Sequence, residues 1–172
     1  GYSLSSPYTL NVVAGTLKAG STFLSDTINF GGQPTTVDAG ATLDTGGFGL
    51  TLPSLLGGGT ITDSGAAATL TLAAANFSGT ISGALSLVAA GTVVLSGAND
   101  YTGTTTINPG QGLQLGVGGA TGSIGGGAIS DGGRLSIDLN SAVTLTNAIS
   151  GAGSLQQLGP GVTSINTANN YS

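Results

Sequence analysis

The chain has 172 residues, of which 33 are glycine; Lys18 and Arg134 are its basic residues, against seven aspartates, for a net charge of −5. Histidine, cysteine, methionine and tryptophan are absent and charged residues make up 5%, where an ordinary soluble domain has about a quarter. This excludes the usual zinc sites, His-based nucleophilic triads, disulfides, and the phosphate neutralisation that nucleic-acid binding requires.

The mean hydropathy is nevertheless positive, unlike that of a disordered chain, so a folded and highly regular backbone with small side chains is expected. In chain order, Gly57-Gly58-Gly59 marks a turn and Thr69-Leu70-Thr71-Leu72 an alternating strand. The longest apolar run, Leu85 to Leu95, is interrupted by Ser86, Gly91 and Thr92 and is too short to span a bilayer. Within it, Thr92-Val93-Val94-Leu95 alternates as a strand does. Gly112-Leu113-Gln114-Leu115, Leu135-Ser136-Ile137-Asp138-Leu139 and Val143-Thr144-Leu145-Thr146 follow, separated by Gly118-Gly119, Gly125-Gly126-Gly127 and Gly132-Gly133. Aliphatic side chains then face one way and Thr, Ser, Gln or Asp the other, and almost no helix is expected.

Two stretches, Ile81 to Gly103 and Ile149 to Ser172, read as near-copies: Ile-Ser-Gly, small residues and a Leu, a β-type run, and an Asn-aromatic-hydroxyl close. Tyr101 and Tyr171 hold the aromatic place in these two, and Phe77 holds it in a weaker copy ending at Gly79. Read as one step from Phe77 to Tyr101 and three from Tyr101 to Tyr171, the spacing suggests a unit of roughly 23 residues, within the range of repeat architectures. The expectation is an all-β solenoid of about seven rungs, on the order of 35 Å long. Residues 1–172 form a single solenoid segment, with degenerate rungs over 1–57 and better-kept ones over 58–172. Stacking like over like about 4.8 Å apart disfavours repeated charge, which accounts for the composition.

The run Leu95-Ser96-Gly97-Ala98-Asn99-Asp100-Tyr101-Thr102-Gly103-Thr104-Thr105-Thr106-Ile107-Asn108-Pro109-Gly110, closed by Leu113-Gln114-Leu115-Gly116, resembles the autotransporter-associated β-strand repeat of bacterial type V passenger domains. The Ile149 copy is similar to its upstream half, with Gly153-Ser154-Leu155 and Gly159-Pro160-Gly161. Tyr8 to Leu17 and Val37 to Leu43 resemble shortened rungs. The resemblance implies a right-handed parallel β-helix, exported through the outer membrane to the cell surface, and supplies no activity. Neither a signal peptide nor an initial Met is present, and the last motif stops at Tyr171-Ser172 where the family continues with Gly. The expectation is an excised piece of a longer array, or a subunit completed by its neighbour.

The repeat motif comprises Asn76, Phe77, Gly79, Asn99, Tyr101, Gly103, Asn170 and Tyr171, with Asn169 as an alternative to Asn170. Asn side chains at such positions satisfy turn backbone groups or form amide ladders; the aromatics, each at one motif position, pack beside the turns. Thr102, Thr104 and Thr106, with Thr105, Thr69 and Thr71, are a candidate outward binding face for ice or glycan, set against Thr being favoured in any sheet. The aspartates (Asp26, Asp38, Asp44, Asp63, Asp100, Asp131 and Asp138) are scattered and mostly have a Gly within two residues, as turn residues do. A glycosidase-like site would need two or three converging carboxylates.

The expected function is a non-enzymatic stalk, filament or adhesin segment at the bacterial surface. No cofactor or metal, no nucleic acid and no membrane insertion by this segment are expected. Its partners are itself, by head-to-tail stacking, or flanking repeats of the same chain, with host-surface or glycan ligands as further candidates.

Overall fold

The computed structural model describes residues 9–20 and 33–171; Tyr8, Asp26 and Ser172 lie outside them. Among the described residues there is no helix, and none therefore long and apolar enough to cross a membrane. The strands in chain order are β1 (Leu10–Val12), β2 (Thr16–Lys18), β3 (Pro34–Val37), β4 (Thr42–Asp44), β5 (Leu50–Leu52), β6 (Ser54–Gly57), β7 (Thr60–Thr62), β8 (Ala68–Phe77), β9 (Thr80–Ile81) and β10 (Leu85–Leu95). They continue with β11 (Thr105–Ile107), β12 (Gly112–Leu115), β13 (Ile129–Asp131), β14 (Arg134–Ile137), β15 (Val143–Leu145), β16 (Ile149–Gly151), β17 (Ser154–Gln157), β18 (Thr163–Ile165) and β19 (Asn170–Tyr171). The alternating segments legible in the sequence fall within these strands, except that β14 ends at Ile137, leaving Asp138 and Leu139 beyond it, and β15 ends at Leu145, leaving Thr146.

Every strand pairing among the described residues is parallel, and the chain coils as a β-solenoid. One column crosses the whole stack: Leu10, Thr35, Leu55, Ala75, Val93, Leu113, Leu135 and Leu155 are successive register partners. The steps between them are unequal, the longest from Leu10 to Thr35 and the shortest from Ala75 to Val93. The seven turns match the sequence expectation, but most steps are closer to about 20 than to the roughly 23 residues inferred from motif spacing. At about 4.8 Å per step the stack is roughly 34 Å long.

Each turn presents up to three faces. One consists of β5, the first half of β8, the first half of β10, β11, β13, β16 and β19. The next consists of β1, β3, β6, the second halves of β8 and β10, β12, β14 and β17. In β8 and β10 the corner between these two faces is smoothed into one long strand, with a register irregularity between Ala89 and Thr92. Gly91 sits at that irregularity, where a Cβ would overlap the Ala73 carbonyl oxygen one rung back. The third face is interrupted: β2, β4, β7 and β9 form one block and β15 and β18 another.

Inward side chains stack into an apolar core one or two residues wide. On the second face a column runs Val12, Val37, Gly57, Phe77, Leu95, Leu115 and Ile137, all buried except the half-buried Gly57. Gly57 is the one small residue of this column and is the register partner of Phe77, whose ring lies against Gly79.

The register corrects one inference from the repeats. Ile81 pairs with Ile61 on the third face, while Ile149 pairs with Ile129 on the first. The residue of the first copy that lies in the Ile149 column is Leu87, on the next strand past Ile81. The copies are alike in local shape and occupy different faces. Phe77→Ala, which empties a fully buried column position, is expected to cost about 3–5 kcal/mol in denaturant unfolding. Leu56→Ala, one residue from the same column but facing outward, is expected to stay within about 0.5 kcal/mol.

Candidate functional site

The corner after β10 is dense in polar contacts. Asn99 is buried, and its Oδ1 accepts the Ile81 backbone N–H at 2.9 Å, in the rung before. Its Nδ2 donates to the Gly97 carbonyl (3.2 Å) and to the Ser123 carbonyl (2.8 Å), in the rung after. The Ser123 hydroxyl completes the exchange, accepting the Asn99 N–H at 2.6 Å and donating to the Asn99 carbonyl at 2.8 Å. One amide thus bridges three consecutive rungs where the third face has no strands.

Tyr101 is fully buried and its hydroxyl shares a 2.7 Å hydrogen bond with Thr105 Oγ1. Burial pushes the phenol above its ordinary pKa, opposed in part by Thr105 and the Gly125 amide. Gly125 is required in the next rung because a Cβ there would overlap the Tyr101 ring and carbonyl. Gly103 is likewise pinned against the Leu85 carbonyl and Ser86 hydroxyl, and Gly79 against the Gly59 carbonyl and Phe77 ring.

The other motif residues do not share these environments. Asn76 is exposed in β8 and pairs with Leu56 and Val94 on the outward side of the second-face ladder, whereas Phe77 pairs with Gly57 and Leu95. Tyr171 pairs with Gly151 on the first face and is 37% exposed. The three aromatics therefore occupy three coil positions rather than one. Asn170 pairs with Ser150 and is exposed; Asn169 does the work of Asn99, its Oδ1 accepting the Ile149 N–H at 2.8 Å. Both Ile-Ser-Gly copies are thus tied by an Asn from the following rung. Asn147, not singled out in the sequence, donates to the Gly125 and Gly127 carbonyls at 2.7 and 2.6 Å. Its one signal was an Asn placed two residues after an inward Leu.

Thr102 is exposed, and Thr104 and Thr106 also face outward, but Thr105 points inward to Tyr101. Thr106 belongs to a mixed outward column of Thr51, Thr71, Val88, Thr106, Ser130 and Ser150. The more regular threonine column is on the third face, where Thr16, Thr42, Thr60 and Thr80 are direct partners over four rungs.

Three aspartates expected at turns are buried: Asp44, Asp63 and Asp131. Asp44 accepts the Gly46 and Ser64 N–H groups and the Ser64 hydroxyl, with Lys18 Nζ at 3.6 Å. Burial opposes its ionisation, but these donors and the ammonium outweigh it and hold its pKa below the ordinary value. Asp63 Oδ1 accepts the Thr45 hydroxyl and the Gly47 and Gly65 N–H groups. Among the described residues no three acidic side chains converge as metal ligands. A cleft of about 110 Å³ lies where the third face is interrupted, lined by Leu115, Ile124, Val143, Leu145 and the polar Ser123 and Asn147 among others, with no ionisable group.

This geometry defines a parallel β-solenoid repeat protein whose corners are sewn together by buried side-chain amides and carboxylates. Residues 90–114, the turn that runs from β10 through the Asn99–Tyr101 corner to β12, match the family model described as passenger-associated-transport-repeat. The match falls on the motif around Asn99 and Tyr101. No curated protein and no solved structure matches it. Asn99→Ala would strand the Ile81 N–H and remove a donor from the Ser123 carbonyl, while the Gly97 carbonyl keeps the Ser123 N–H; each group left unsatisfied costs about 1–3 kcal/mol. A loss of at least about 2 kcal/mol is expected on denaturant unfolding, against no more than about 0.5 kcal/mol for Asn76→Ala on the outward side.

Proposed function

We propose that this chain is a non-enzymatic rod segment of a bacterial autotransporter passenger, displayed at the cell surface. The observation that carries the reading is the passenger repeat at 90–114 embedded in a ladder that runs from Leu10 to Leu155. Such a rod acts by geometry: it is stiff because each rung is bonded to the next, and it extends whatever it carries away from the membrane. Its burial of aspartates as hydrogen-bond acceptors, rather than in a shared cleft, agrees with a structural role.

The same ladder supports stacking of a further rung, from flanking repeats or a second copy. At one end β17 carries half-buried Leu155, with Leu158, Val162 and Ile165 exposed nearby; at the other Val13 and Leu17 are exposed. A second copy in continued register would place its Leu10 on Leu155. Placed between an export signal and an outer-membrane barrel, the segment is expected to become accessible to protease on intact cells. Free in solution it is expected to lengthen with concentration by light scattering, and Leu155→Lys to suppress that growth. Retention in the periplasm would overturn the passenger reading; a wild-type monomer at high concentration would overturn stacking.

A second reading, a binding module for ice or glycan, is favoured by the continuous Thr16–Thr42–Thr60–Thr80 column, which sets hydroxyl and methyl groups about 4.8 Å apart. It moves the candidate face away from Thr102, Thr104 and Thr106. Under this reading Thr60→Lys should abolish thermal hysteresis or glycan-array signal while Thr104→Lys leaves it intact. Absence of both signals from the wild-type protein dismisses it.

A further inference from the structure

Asp131 occupies an unusual place for a carboxylate. It ends β13 in the inward column Leu52, Leu72, Ala89, Ile107, Asp131, otherwise apolar, and is 0% exposed. Its Oδ1 accepts the Gly133 N–H at 2.9 Å, and its Oδ2 is buried with no hydrogen-bond partner. The rung stacked above encloses it. A Cβ on Gly153 would overlap the carboxyl group, so the carboxyl fits because residue 153 has no side chain, and one on Gly151 would overlap the Asp131 backbone carbonyl, so the rung above packs directly on the Asp131 backbone.

The groups around it offer no compensating cation. From β11 it meets Ile107; from β16 and β17, residues 149–157 contain nothing ionisable; and from β19 comes Tyr171. Arg134, at the start of β14, is exposed, and its guanidinium lies by Gly112. Tyr171 is raised by its own burial and then by the Asp131 charge. Asp44 shows the contrast: another buried carboxylate, but with a hydroxyl, two amides and Lys18 to hold its charge.

We propose that Asp131 is a proton-dependent latch on the rungs stacked over it, Ile149–Tyr171, closed while its carboxyl is neutral and loosened when it ionises. A protonated carboxyl buries one charge fewer and presents an O–H to the backbone above it; an ionised one leaves an unpaired charge in an apolar column, which the terminal rungs relieve by opening to water. Burial raises the Asp131 pKa against the pull of the Gly133 and Leu135 amides. The folded form therefore binds its proton more tightly than the unfolded chain, and stability falls as pH rises from the ordinary value of 3.8 to the folded one, then levels off. Asp44, lowered, has the opposite sign: its contribution is present above 3.8 and is lost as pH falls through its folded value. Because a solenoid opens rung by rung from weak points, the loss at Asp131 is local.

Amide hydrogen exchange of the full chain over a pH series, expressed as protection factors, tests this. Protection of peptides within 149–171 is expected to fall by about tenfold for each unit by which the folded pKa exceeds the unfolded one, while peptides from β8 and β10 hold theirs. Asp131→Asn should abolish that fall and raise protection at neutral pH, and Asp100→Asn, at an exposed position, should leave it unchanged. An unchanged pH dependence in Asp131→Asn, or no pH dependence of 149–171 in the wild type, overturns the proposal. Carbonyl-stretch infrared titration of the wild type is independent of whether the variant folds: an Asp131 carboxyl titrating at or below the ordinary value also overturns it.

Discussion

The structure depends on one repeated interaction, the backbone hydrogen-bond ladder between successive rungs, which sets a spacing of about 4.8 Å. At that separation each inward residue lies directly over its counterpart, and each corner passes within contact of the corner below. Glycine is then required where backbone meets backbone, as Gly91 over Ala73 shows, and small or aliphatic residues are favoured wherever side chains stack. Charge is the casualty. A column of like charges at this spacing would repel, and a chain that is only 5% charged reflects that constraint.

A thin core also forces polar groups inward, since corners have carbonyls and amides with no strand partner. They are met by side chains: Asn99 joins three rungs, Asn169 and Asn147 repeat the device farther along, and Tyr101 reaches Thr105 inside the coil. Asn99 and Asn147 supply inter-rung bonds where the third face is interrupted between Ile81 and Val143, while Asn169 ties Ile149 on the first face and the Tyr101–Thr105 bond lies within one rung. They explain why a passenger repeat is conspicuous as a motif at all. Strand residues are interchangeable among aliphatics, whereas a corner needs a particular amide and a particular glycine.

Two enclosed carboxylates show how position decides chemistry. Asp44 sits at a corner rich in amide and hydroxyl donors and is stabilised as an anion; Asp131 ends a strand in an apolar column and is stabilised as an acid. Both precede a turn with glycines, and both look alike in the linear sequence. The solenoid thereby contains a point where the packing of its rungs depends on a proton.

Strand positions were legible because alternation of aliphatic and hydroxyl residues reports which side faces in, a property local to four or five residues. The absence of helix was legible in the same local way, the solenoid class in the spacing of the repeats, and the passenger repeat in the resemblance of the motif around Asn99 and Tyr101. Register was not legible. Unequal steps arise because corners differ in length, and the Ile-Ser-Gly pattern serves two different corners with one Asn-capped geometry, so Ile81 and Ile149 look equivalent and are not. Nor could Asp131-Gly132-Gly133 be distinguished from an exposed turn, since its burial comes from Gly151 and Gly153 a full rung later. The sequence by itself determined the local alternation and the chemistry of each corner, because these depend on neighbours along the chain. Only the tertiary structure decided which residues lie over which, because that depends on the summed length of every loop between them.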